Sequence, residues 1–200
     1  MMKKLFMWVA FSAMTITASA QKSIEVGFLG TSPDIVDLAW AFLVTGDDDE
    51  EECDQEATAG IKDALERYRQ GESQDKNVTL TVDKRNGFMV YEFRYEEHLS
   101  RIEMCYWNEA DKKHKLFAYN RWSFSNGKPS LGQYDELVFL RYNNATKKMT
   151  MCETPGFEVS YNNTIYALPR TGKDITVTKW NDNGTKTKKT LKWNGHKFNK

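Results

Sequence analysis

The sequence predicts an α+β domain, two N-terminal helices packed on a long, curved antiparallel sheet of about eight to ten strands. Three observations carry this. Apolar residues recur at helical spacing up to residue 69, then alternate with period two from Asn77 onward. The alternating segments are joined by short Asn-rich turns, too short for the crossovers that parallel strands need. Aromatics make up 13% of the 200 residues against 4 prolines and 12 glycines. Such a chain can fill a core and is neither disordered nor collagen-like.

Residues 1–20 read as a secretory signal peptide. Lys3 and Lys4 form a basic start, Leu5 to Ala13 an apolar stretch too short to span a bilayer, and Ala18-Ser19-Ala20 a cleavage site before Gln21. Cleavage removes two of the 28 basic residues and none of the 28 acidic ones, so the mature chain carries a formal charge of −2. Residues 21–200 are expected to form a single domain. No later run is long and apolar enough for a transmembrane segment.

Residues 31–44 suit a first helix. Ser32 can cap it, Pro33 fits the first helical position and Asp34 favours the positive end of the dipole. Ile35, Leu38, Ala39 and Phe42 supply an apolar stripe. An acidic run from Asp47 to Glu56 leads into a second helix over about 53–69, with Ile61, Ala64, Leu65 and Tyr68 on one face and Gly71 as its stop.

Alternation then marks the strands. Met89, Tyr91, Phe93 and Tyr95 share one parity, as do Ile102, Met104 and Tyr106, and then Leu116, Ala118 and Asn120. Further strands are expected over 136–142, 147–152, 157–161, 164–168, 174–180 and 186–193. The turns between them include Asn126-Gly127, Asn143-Asn144, Asn162-Asn163 and Asn194-Gly195, residues that tolerate positive φ. A weak repeat joins Tyr106–Lys113, Arg141–Lys148 and Lys179–Lys186, in which an aromatic ends a strand, Asn turns and lysines begin the next. Three imperfect copies cannot close a propeller, so one hairpin solution recurring is the simpler account.

Most catalytic signatures are absent. His98, His114 and His196 share no four-residue spacing, and there is no C-x-x-C, G-x-S-x-G, dinucleotide fingerprint or P-loop. No cofactor and no metal site are expected, and the acidic run lacks the glycine and distal Glu of a calcium loop. Glu96-Glu97-His98 reads as a solvated hairpin tip, because neighbouring strand residues point to opposite faces. Of Cys53, Cys105 and Cys152, a Cys105–Cys152 bridge is the more plausible pairing, with three free thiols the alternative. The lysines of 179–200 come without arginine, which disfavours nucleic acid, and they suit a strand that resists edge pairing.

Trp107, Trp180 and Trp193 each precede an asparagine, Asn108, Asn181 and Asn194. Aromatic planes beside amides suit stacking on sugar rings or gripping a protein partner, and these six residues are the candidate ligand site. The plainer role for the tryptophans is closing the ends of the core.

The leader ending Ala18-Ser19-Ala20-Gln21, the Asn-rich hairpins and the closing Leu191-Lys192-Trp193-Asn194-Gly195-His196-Lys197-Phe198 resemble small uncharacterised exported proteins of gut-type Bacteroidota. The resemblance implies an envelope location and assigns no site residues. Together these readings lead to a non-enzymatic binding or accessory protein of the periplasm or cell surface, its ligand a glycan or a protein. A hydrolase assembled around His98 or His114 and a structural envelope component are the alternatives.

Overall fold

The computed structural model describes residues 23–45, 52–132, 135–181 and 183–199. The signal peptide and the start of the acidic run lie outside the described residues. Helix α1 spans Ile35–Thr45 and α2 spans Glu52–Gln70. The cap of α1 is Asp34 rather than Ser32. Asp34 Oδ1 accepts from the backbone N–H groups of Val36 at 2.8 Å and Asp37 at 3.2 Å, while Asp37 Oδ2 accepts from Asp34 N–H at 2.9 Å. This reciprocal box satisfies donors that a lone Ser32 cap, two residues earlier, would leave open. Gly71 ends α2 as expected. Its N–H donates to Tyr68 O, Glu72 N–H donates to Arg67 O, and its φ of 74° completes a Schellman turn that side-chain-bearing residues adopt poorly.

The strands are β1 (Ser23–Glu25), β2 (Val78–Asp83), β3 (Phe88–Tyr95), β4 (His98–Asn108), β5 (His114–Ser125), β6 (Lys128–Pro129), β7 (Leu137–Asn143), β8 (Lys148–Cys152), β9 (Thr164–Ala167), β10 (Ile175–Trp180), β11 (Lys186–Trp193) and β12 (Phe198–Asn199). The first eight form one antiparallel sheet in the order β1-β8-β7-β5-β4-β3-β2, with β6 paired to the end of β5. Asn126-Gly127 makes the β5–β6 turn with φ of 51° and 70°, the two positive values that a type I′ hairpin requires.

The fold is α+β as the sequence predicts, but its strands divide between two sheets. β9 to β12 form a separate four-stranded sheet in the order β12-β11-β10-β9. Residues 157–161, expected as a strand, run as irregular chain, with Ser160 N–H held by Tyr166 Oη at 2.8 Å. Both faces of the large sheet are covered. Met89, Tyr91, Ile102, Met104, Phe117 and Tyr119 pack with Ile35, Leu38, Ile61 and Leu65 of the helices. Residues of the opposite parity, among them Phe88, Cys105, Trp107, Leu116 and Phe139, pack with Tyr166, Ile175, Leu191, Trp193 and Phe198 of the small sheet and its surroundings. Helices, large sheet and small sheet therefore share two cores built on the two parities of the same strands.

Register also decides the cysteine question. Cys105 pairs with Ala118, Ala118 with Phe139 and Phe139 with Cys152. Three interstrand steps put the two cysteines about 14 Å apart, well beyond the reach of about 7 Å for a disulfide. Both are free, and burial raises the pKa of each thiol.

The free side of β9 is closed by side chains of the large sheet. Glu103 Oε2 accepts from Leu168 N–H at 2.7 Å, and Asn120 Nδ2 donates to Tyr166 O. Glu103 and Asn120 are direct cross-strand partners on β4 and β5. The edge groups of β9 thus meet two buried polar side chains instead of a neighbouring strand.

Candidate functional site

The structure keeps the Trp107 and Trp193 pairs together, their ring centroids 5.9 Å apart, and sets the Trp180 pair apart. Trp107 is buried on β4. Its Nε1 donates to Lys173 O at 2.9 Å, and its ring meets Phe198 edge-on with centroids 5.2 Å apart. Trp193 is buried in the same cluster, 4.9 Å from Phe198, and its Nε1 has no hydrogen-bond partner among the described residues. Asn108 Oδ1 accepts from Lys115 Nζ at 2.9 Å. Asn194 Oδ1 accepts from the N–H groups of His196 and Lys197, so it shapes a turn. The two tryptophans belong to the core, and the two exposed asparagines flank turns joined by the bond from Ala110 N–H to Gly195 O at 2.9 Å.

Trp180 and Asn181 lie elsewhere, at the outer end of β10. They border a cleft of about 610 Å³ with Pro129, Leu131, Tyr161, Asn162, Asn163 and Lys179. Three chain segments position it. The first is the stretch after β6, where Ser130 N–H binds Ser123 O at 2.9 Å. The second is the Asn162-Asn163 turn before β9, where Asn163 O accepts from Trp180 N–H at 2.9 Å. The third is the end of β10 itself. Trp180 is half-buried. Its ring meets Phe124 edge-on at 5.6 Å, and Lys186 Nζ stands 3.6 Å from its centroid. Tyr161 is 48% exposed, and its hydroxyl accepts from Leu137 N–H at 3.4 Å.

The polar groups of this cleft differ in their commitments. Asn181 Nδ2 donates to the Thr185 and Thr187 hydroxyls. The side-chain amides of Asn162 and Asn163 hydrogen-bond to no described residue and are open to a ligand. Tyr161, Asn162 and Asn163 were not among the sequence candidates. Their signal was present, since Tyr161-Asn162 repeats the aromatic–asparagine pattern of the three tryptophans.

A second cleft of about 840 Å³ adjoins the first and shares Lys179 and Asn181 with it. Its floor is Phe157, Tyr166, Val177 and Leu191, with Lys189 at its margin. Ile175, Val177 and Lys179 share one parity of β10, and they pair with Leu191, Lys189 and Thr187 of β11. The face of the small sheet that closes the core at Ile175 therefore opens into a trough towards Lys179.

The histidines take other places. His98 is exposed at the β3–β4 hairpin, where Glu96 adopts a φ of 52°. His114 lies beside Asp111 in the β4–β5 turn, Nδ1 to Oδ2 being 2.5 Å. Asn143 Oδ1 accepts from Ala145 and Thr146 N–H, which turns its Nδ2 towards His114 Nε2 at 3.1 Å. That contact makes Nε2 the acceptor and Nδ1–H the donor to Asp111. The chain places Glu109, Asp111 and His114 so that one ligand atom of each lies within 4.8 Å of the others, a grouping the sequence reading passed over. Each already has protein partners, Glu109 through Arg141 Nε at 2.7 Å, so the cluster reads as a locked turn.

The bond from His114, with the N–H groups of Lys113 and His114, lowers the Asp111 pKa from 3.8 to about 2. A depressed native pKa stabilises the fold above the unfolded value, and that contribution is lost as pH falls through the native one. The Asp111 carboxyl should accordingly titrate near 2 when followed by carbon NMR, with the Lys113 and His114 amide signals moving in step. A midpoint at 3.8 would contradict the geometry.

No protein-family model matches the chain, and no curated protein or solved structure matches it either.

Proposed function

We propose that the chain is an exported, non-enzymatic binding protein that takes a glycan in the cleft between Tyr161 and Trp180. The observation that carries this reading is the combination in one concave surface of two aromatic side chains with the unengaged amides of Asn162 and Asn163. Aromatic faces suit the C–H faces of sugar rings, and amides suit their hydroxyls by donating and accepting together. A cleft of about 610 Å³ falls within the usual range for ligand sites. Export is supported by the basic, apolar and A-x-A features of residues 1–20.

The test is a thermal-shift and calorimetric screen of the mature protein against soluble oligosaccharides. A bound glycan should raise the melting temperature. Trp180→Ala should weaken its binding at least tenfold, and so should Asn162→Ala, whose exposed side chain makes no contribution to packing. A screen with no hit, or a hit unaffected by both variants, would refute the proposal.

A further inference from the structure

We infer that the ligand of this trough is an anionic oligosaccharide, one carrying carboxylate or sulfate groups, held by Lys179 and Lys189. The inference rests on the glycan reading above and adds the charge of the sugar. Its starting point is Lys179. β10 is hydrogen-bonded to β9 on one side and β11 on the other. An edge-guarding role, which accounts for lysines on exposed strand edges, therefore does not apply to Lys179. Lys179 stands next to the end of β10, exposed, with a strand hydrogen-bonded on either side of it.

Its surroundings supply another role. Directly across from Lys179 stand Thr164 on β9 and Thr187 on β11, neither of them charged. Lys189 is two residues along β11 from Thr187, on the same face and diagonal to Lys179. No described carboxylate pairs with either ammonium group. Glu158 is the one acid among the described residues lining the two clefts. Lys179 belongs to both clefts, so it stands where the aromatic cleft meets the trough. The two clefts meet at Lys179 and Asn181, so a chain of sugars held at Tyr161 and Trp180 that passes the end of β10 into the trough along Val177 would bring its acidic groups past both lysines. Ammonium-to-carboxylate or ammonium-to-sulfate bonds are charge-assisted and stronger than those to neutral hydroxyls. The lysines Lys186, Lys188 and Lys192 lie on the opposite parity of β11 and line neither cleft.

The experiment measures calorimetric affinity of the mature protein for matched probes. Oligogalacturonides are compared with their fully methyl-esterified forms, and sulfated oligosaccharides with their desulfated forms. The inference expects at least one acidic probe to bind tenfold or more tightly than its neutral twin, with affinity falling as salt rises. Lys179→Gln should remove most of that difference, Lys189→Gln part of it, and Lys192→Gln none. The two arms distinguish carboxylate from sulfate as the recognised group. Equal binding of acidic and neutral twins that is still lost in Trp180→Ala would overturn the anionic ligand and leave the glycan reading standing. Acidic binding that Lys192→Gln weakens as much as Lys179→Gln would reduce the effect to a diffuse basic surface and overturn the inference. Absence of binding to every probe would overturn both.

Discussion

Replacing Trp107 by Ala should cost about 3–5 kcal/mol of folding stability, the range for removing a buried large aromatic. Trp107 lies where the two sheets meet. Its ring contacts Phe139, Trp193 and Phe198 at centroid distances of 6.4, 5.9 and 5.2 Å, and its indole N–H is held by Lys173 O. The substitution removes those contacts and leaves a void that the backbone of a continuous sheet cannot close. Trp107→Phe keeps an aromatic ring and gives up the hydrogen bond, so it should cost less, about 1–2 kcal/mol. Urea unfolding measures both. The milder variant should bind glycan as the unaltered protein does, since Trp107 lines neither cleft. A loss under 1 kcal/mol for Trp107→Ala would show that the interface between the sheets is not packed as described.

Glu103→Ala should cost about 3 kcal/mol through a different mechanism, the orphaning of a buried donor. Glu103 is 2% exposed. Its two oxygens accept from Leu168 N–H and from Arg101 Nε, and Arg101 keeps Glu92 as a second partner. The loss therefore falls chiefly on Leu168, whose buried amide would be left without its acceptor. Glu103→Gln preserves an acceptor for that amide and should cost about 1 kcal/mol or less.

The pH dependence is informative because burial raises the Glu103 pKa, while Arg101, the Leu168 N–H and the Asn120 side chain oppose the rise. A carboxyl with a raised native pKa stabilises fully below its unfolded value of about 4.5 and loses that contribution as pH climbs through the native one. The stability gap between the unaltered protein and Glu103→Gln should thus narrow as pH rises. Faster hydrogen exchange at Leu168 in Glu103→Ala alone would locate the effect at the β9 edge. A gap that widens with pH would contradict the burial.

Particular residues show what the sequence made legible. The Ile35–Phe42 stripe and the Arg67–Gly71 ending announced both helices, because local spacing and capping are written in adjacent residues. The alternation of Met89–Tyr95 and Ile102–Tyr106 likewise announced paired strands. The division into two sheets was not legible. Ile175–Trp180 alternates in the same way as Ile102–Trp107, and a strand's period does not name its neighbours. Yet two residues carried a trace of it. Glu103 shares a parity with Cys105 and Trp107, and Asn120 with Leu116 and Ala118. A carboxylate and an amide set into apolar rows mark the line where a second backbone edge docks.

The site followed the same pattern. Trp180 and Asn181 were legible from their aromatic–asparagine signature, whereas Trp107 and Trp193 carried that signature for reasons of packing. Tyr161, Asn162 and Asn163 were read as strand end and turn, and only the meeting of that turn with β10 turns them into a wall. The Cys105–Cys152 pairing failed for a related reason, since a place in the same strand-rich region says nothing about how many strands intervene.

The most direct test of the whole account uses the indole N–H signals of the tryptophans in a nitrogen-15 spectrum, recorded while a glycan from the screen is titrated in. The Trp180 signal should shift on binding together with the amides of residues 161–163 and 179–181, while those of Trp107 and Trp193 stay in place. A titration that moves the Trp107 and Trp193 signals and leaves Trp180 still would put the ligand in another part of the molecule and contradict the account.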